Sequence, residues 1–231
     1  MSGPIIPIGG NPRGPGEGAL ERYLLDVCGV DNPRVCFVPT ASGDSESSIT
    51  MFYERFPSSV CRPVHFTVFR PPAIPLAEAL GDADIIYVGG GSTANMLTVW
   101  RLHGIDTMLR AAHDRGAVLT GSSAGANCWF QASVTDSFGN ELAALQDGLG
   151  LLPGSFCPHY DSEPQRRPVY RQLVTDGVMS RGYAAEDAVA FHFRDAQLVE
   201  VVSARPDAAG YDVAAVDGDL VERELPTRLI G

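Results

Sequence analysis

Lysine is absent from this chain: all 17 basic residues are arginine, set against 28 Asp and Glu, for a net charge of −11. That absence removes every mechanism built on a side-chain amine, including the Walker phosphate loop, the pyridoxal Schiff base and the serine–lysine dyad. The acidic balance disfavours nucleic acid or an anionic membrane as a partner. Paired cysteines are lacking too. Cys28, Cys36, Cys61, Cys128 and Cys157 stand singly, with no C-x-x-C, so neither a disulfide framework nor a zinc knuckle is indicated and a reducing cytoplasm is the expected setting. No apolar run approaches a membrane span, and the N-terminus lacks the basic start of a signal peptide. What remains, 231 residues at 45% hydrophobic content, predicts one globular domain over 1–231 with enough chain for a full core.

Apolar runs alternate with helical patterns through the first half. Residues 5–9, 35–40, 64–69, 84–90 and 117–121 read as buried strands, while 18–28, 46–56, 74–81 and 93–113 carry the three-to-four-residue spacing of amphipathic helices. Such alternation predicts a mostly parallel sheet covered on both faces. Ligands bind such sheets at the carboxyl ends of the strands, where two glycine-rich turns, 89–92 and 121–125, fall. Segment 131–158 reads as loop-rich and 168–178 as helical. The chain then closes in short strands, expected to be antiparallel at one edge.

The turn Gly121-Ser122-Ser123-Ala124-Gly125 follows a strand and fits the nucleophile-elbow pattern G-x-S-x-G. Small residues at its ends let strand and helix approach closely. Its serine hydroxyl would stand at the sheet edge, with the Ala124 amide free to stabilise an oxyanion. The competing reading is an ordinary strand-to-helix turn whose serines cap the helix. The second turn, Gly89-Gly90-Gly91-Ser92, formally matches a dinucleotide fingerprint. It follows the fourth strand, however, and no strand-end acid lies about 20 residues on. A glycine amide aimed at a substrate carbonyl is the preferred reading.

A serine nucleophile needs a base and an orienting acid. His65, His103 and His113 fall in a strand or on surface helices. His159 follows the apolar segment ending in Phe156-Cys157-Pro158, a strand-end position suited to a site. Asp161, Glu186 and Asp187 are the candidate acids. The order serine, histidine, acid differs from the serine, acid, histidine order of α/β-hydrolases.

Together, the triple glycine at 89–91, Gly-x-Ser-Ala-Gly-Ala-Asn at 121–127, Pro-His-Tyr at 158–160 and a late acidic turn before a strand resemble the serine peptidase family of dipeptidase E and cyanophycinase. The resemblance runs over almost the whole chain. It implies a flavodoxin-like three-layer α/β/α sandwich related to class I glutamine amidotransferases, with a mostly parallel central sheet and a few antiparallel C-terminal strands. It also implies Ser123 as nucleophile, His159 as general base, and Gly91 and Ala124 as oxyanion-hole donors. Asp187 would orient the base, with Glu186 next in line and Asp161 kept by amidotransferase-like spacing. The implied substrate is a dipeptide with N-terminal aspartate, so Arg166, Arg167 and Arg171 are candidates for its carboxylate, with Ser92 beside them. Relatives commonly carry asparagine where this chain has Ser92, a departure bearing on how strictly aspartate is required. No metal or organic cofactor is implied. The partner is a small peptide, with a homodimer as the allowed assembly. The alternatives are an amidase, esterase or cyanophycinase-like hydrolase on the same scaffold, a nucleotide-binding oxidoreductase, or a non-catalytic module binding a small ligand.

Overall fold

The computed structural model describes residues 2–11, 16–72 and 74–231, and these form two sheets rather than one. The first is built from the apolar runs of the N-terminal half: β1 (Ile5–Ile8), β2 (Arg34–Val38), β3 (Arg62–His65), β4 (Ile85–Val88) and β5 (Val118–Ser122). They lie parallel in the order β1-β5-β4-β2-β3. Helices α1 (Ala19–Cys28), α2 (Glu46–Arg55), α3 (Leu76–Gly81), α4 (Thr93–His103) and α5 (Ile105–Arg115) make the crossovers. The predicted helix over 93–113 is broken in two, because Gly104 adopts a left-handed conformation (φ 69°) that ends α4 and starts α5.

Beyond β5 comes the four-residue α6 (Ala124–Asn127), and there the chain leaves the first sheet. Strands β6 (Phe130–Thr135), β7 (Ala143–Leu145) and β8 (Leu152–Cys157) occupy the segment expected to be loop. Helix α7 (Arg166–Thr175) follows, then β9 (Gly182–Ala185), which pairs parallel to β8. The chain next re-enters the first sheet: β10 (Val189–Arg194) runs antiparallel beside β1, and β11 (Gln197–Ser203) antiparallel beside β10. Strands β12 (Gly210–Val216) and β13 (Asp219–Leu225) return to the second sheet, and β14 (Thr227–Leu229) finishes on the edge of the first. The C-terminal strands are therefore largely antiparallel, as expected, but they are shared between both sheets. Their orders are β14-β11-β10-β1-β5-β4-β2-β3 and β13-β12-β9-β8-β6-β7.

Aromatic rings join the two sheets. Phe130 and Phe156 stack at 4.9 Å, Phe156 meets Phe191 edge-on at 6.0 Å, and Tyr183 lies 5.3 Å and 5.5 Å from Phe191 and Phe193. All of these phenylalanines are buried, so the seam is dry and each ring adds apolar burial from both sides. Among the described residues, no helix is long and apolar enough to cross a membrane.

Candidate active site

Both crossings between the sheets carry predicted site residues. At the first, β5 ends and Ser123 turns the chain into α6 with φ 59° and ψ −115°, a sparsely populated conformation for a non-glycine residue. From Ala117 to Phe130, Ser123 alone is not buried. Its side chain makes no capping hydrogen bond to α6, so the hydroxyl is not consumed as a helix cap. Small residues around it are required by contact. A Cβ on Gly125 would lie 2.1 Å from the Val88 carbonyl oxygen, and one on Gly121 would lie 2.6 Å from the same atom.

The triple-glycine turn after β4 runs alongside. Gly91 has φ 137°, and a Cβ there would meet the Ala41 oxygen at 2.1 Å, so only glycine fits. Among the described residues, neither the Gly91 nor the Ala124 N–H donates to a backbone carbonyl. Gly91, Ser92, Asn95, Ser123, Asp136, Ser137, Glu163 and Arg166 line one cavity of about 320 Å³. Ser92 also caps α4, its hydroxyl accepting from the Asn95 N–H at 3.4 Å.

The second crossing supplies the base and the acid. Parallel pairing sets Cys157 opposite Ala184, so the residues just past β8 and β9 are neighbours. His159 Nδ1 and Asp187 Oδ1 are 2.7 Å apart. An ionised carboxylate only accepts, so Nδ1 carries the proton and Nε2 is left as the free lone pair. Burial opposes ionisation of Asp187, but the hydrogen bond and charge of His159, a hydrogen bond from Ser162 and the Arg205 charge outweigh it. Its carboxyl is held below the usual carboxylate range. The pair rests against Gly10, which is bridged to Asp187, while the Ser123 N–H donates to the Ile8 oxygen two residues earlier at 3.1 Å. The chain at and just past the end of β1 thus touches both parts, Ile8 the serine turn and Gly10 the histidine–acid pair.

Of the three candidate acids, Asp187 alone bonds the imidazole. Side chains alternate along an extended segment, so Glu186 faces the opposite way. It accepts from the Ala209 N–H and the Tyr211 hydroxyl, each at 3.0 Å. Asp161 supports the acid from behind: one oxygen accepts the Asp187 N–H at 2.8 Å and the other the Arg205 guanidinium at 2.5 Å. Nothing in the local sequence pointed to Arg205, which comes from the loop after β11.

The three arginines are not brought together. Arg166 lines the Ser123 cavity, its side chain buried and bonded to Glu163 (2.7 Å) and the Val134 oxygen (3.0 Å). Arg167 and Arg171 lie one helical step round, on a different face of α7, and pair with Glu222; Arg167 also packs between the Tyr160 and Tyr211 rings. They line a separate cavity with Asp161 and Glu186. The grouping of all three beside Ser123 is corrected to Arg166 alone. Glu163, Asp136, Asn95 and Ser137 were missed. Of these, only the i,i+3 pairing of Glu163 with Arg166 left a trace in the sequence.

Comparison with known proteins fixes the class. The model of peptidase family S51 matches residues 7–201, and the chain belongs to this family of peptidase-type hydrolases. It is 44% identical over 229 residues to the uncharacterized peptidase YgaJ of Bacillus subtilis, covering 98% of this chain and 99% of that one. Peptidase E of Citrobacter koseri is 37% identical over 101 residues, 42% of each chain. Peptidase E of Salmonella typhimurium is 31% identical over 157 residues, 63% of this chain and 64% of that protein. Two solved structures share the fold. A peptidase from an acI-B1 actinobacterium has a TM-score of 0.70 at 18% identity, covering 98% and 95% of the two chains. A putative peptidase E protein from Listeria monocytogenes has a TM-score of 0.64 at 16% identity, covering 98% and 100%.

Proposed function

We propose that this chain is a serine peptidase of short peptides, cleaving dipeptides that begin with aspartate through Ser123, His159 and Asp187. The observation that carries the reading is the 2.7 Å His159–Asp187 hydrogen bond packed on Gly10, just past β1, whose last residue accepts the N–H of a serine held with φ 59°. Asp187 keeps the Nδ1–H tautomer, so Nε2 can take the Ser123 proton as Oγ attacks the peptide carbonyl. The tetrahedral oxyanion accepts from the Gly91 and Ala124 amides, which no backbone carbonyl uses among the described residues. Collapse breaks the C–N bond, and His159 returns the proton to the leaving amine. Water, activated by the same imidazole, then releases the acyl group.

The lining of the Ser123 cavity suits an N-terminal aspartate. Arg166 offers a guanidinium for the side-chain carboxylate, and Glu163 and Asp136 offer negative charge for the free ammonium. Five unpaired cysteines are in keeping with a reducing compartment, so we assign the cytoplasm. Hydrolysis of an aspartyl dipeptide panel by wild type beside Ser123→Ala tests the reading. Turnover that vanishes in the variant supports it, whereas turnover that survives the substitution overturns Ser123 as nucleophile.

A further inference from the structure

We infer that a second, apolar cavity on the far side of the triple-glycine turn receives the side chain of the leaving residue, and that it selects a group of about leucine size. The inference rests on the proposed roles of Ser123 and His159. The cavity holds about 80 Å³ and is walled by Phe37, Met51, Phe52, Phe56 and Tyr87. Phe37 and Phe52 stack at 4.8 Å and are buried, so the wall is fixed rather than adaptable. Roughly 10–15 Å³ accommodates one water-sized atom, so the space admits a group of about five heavy atoms. Two of the polar groups at its edge are already engaged. The Tyr87 hydroxyl donates to Asn11 Oδ1 at 2.8 Å, and the Arg55 guanidinium pairs with Glu21 at 3.3 Å.

Its position follows from two shared boundaries. Gly90 lines this cavity, and a Cβ on Gly90 would lie only 3.4 Å from the Ser123 Cβ and 3.8 Å from Oγ. Asn11 lines it too, one residue after Gly10, against which the His159–Asp187 pair rests. The cavity therefore borders the glycine turn that packs on Ser123 and the chain next to the glycine under the imidazole. Gly91, Ser92 and Arg166 line the other cavity. In acyl transfer the imidazole returns its proton to the leaving amine, so the leaving residue lies on the histidine side and the acyl residue on the oxyanion side. The acyl residue then takes the charged cavity, and the leaving residue takes the aromatic one.

The test is kcat/KM over Asp-Gly, Asp-Ala, Asp-Leu, Asp-Lys and Asp-Trp for wild type, with Ser123→Ala as the baseline. Asp-Leu is expected to exceed Asp-Gly by about tenfold or more. Ser48→Phe, on the half-buried rim, should collapse that ratio towards unity. Met51→Ala, at an exposed position, should widen the cavity and raise Asp-Trp relative to Asp-Leu. Equal wild-type values for Asp-Leu and Asp-Gly, or a ratio unmoved by both variants, would overturn this inference while leaving the nucleophile intact. Absence of any turnover across the whole panel would instead overturn the aspartyl-dipeptide reading, and turnover that survives Ser123→Ala the nucleophile assignment, each taking this inference with it.

Discussion

Replacing Gly10 with alanine should disable the proposed chemistry without touching a reacting group. A Cβ at Gly10 would sit 1.9 Å from Asp187 Oδ1 and 2.8 Å from His159 Nδ1, and real Cβ contacts essentially never fall below 3.0 Å. The backbone cannot swing aside: Gly10 is bridged to Asp187, and its carbonyl accepts the Ala188 N–H at 2.7 Å. The carboxylate must therefore retreat by about 1.1 Å, stretching the 2.7 Å hydrogen bond beyond bonding range. Misplacing a catalytic group by about 1 Å costs on the order of 10²-fold, and losing the orienting acid of a serine triad about 10⁴-fold. A kcat between those limits is expected, with KM little changed. The assay is Ser123-dependent hydrolysis of an aspartyl dipeptide, with a thermal melt of the same preparation to show that the fold persists. Because the methyl acts chiefly on the Asp187 contact, Gly10→Ala should slow Asp187→Asn far less than it slows wild type. A Gly10→Ala enzyme within about threefold of wild type would refute the argument.

The Asp187 carboxyl titrates below the ordinary range, so the native state binds fewer protons there than the unfolded chain. Its contribution to stability is full above the unfolded carboxylate value of about 4 and is lost as pH falls through the depressed native value. Melting temperature followed from neutral pH into acid should drop more steeply for wild type than for Asp187→Asn; parallel curves would contradict the assignment. Glu186→Gln tests the neighbouring acid. Its two hydrogen-bond partners, the Ala209 N–H and the Tyr211 hydroxyl, can both be met by a carboxamide once Tyr211 turns to accept, and only the 3.8 Å ion pair with Arg205 is lost, so kcat should stay within about threefold of wild type. The loss of about 1 kcal/mol of charge assistance corresponds to a melting temperature lower by about 2–4 °C. A collapse in kcat matching that of Asp187→Asn would show that Glu186 shares the acid's work.

The first sheet was readable because four of its parallel strands, β1, β2, β4 and β5, are apolar runs buried almost throughout, a signal that needs no knowledge of neighbours. The Ser123 elbow was readable for a similar local reason, since Gly121 and Gly125 must be small wherever a helix turns back onto a strand. The second sheet was hidden. Its strands are three to seven residues long, and Pro153 and Gly154 interrupt β8. That hidden register decides between Glu186 and Asp187, so composition alone left both open. The arginines failed on helical phase: without the start of α7, nothing separates Arg166 from Arg167 and Arg171.

Ser123 stands on the chain's way out of the first sheet, while His159 and Asp187 follow adjacent strands of the second. Histidine and acid are thus built as one unit and the nucleophile as another, with the ring stack of Phe130, Phe156, Tyr183, Phe191 and Phe193 as the joint between them. Turnover in such an enzyme works as a vernier on that joint. A slip too small to expose either sheet to solvent is still large on the scale of a proton transfer, so substitutions among these rings would tune the reaction from a distance.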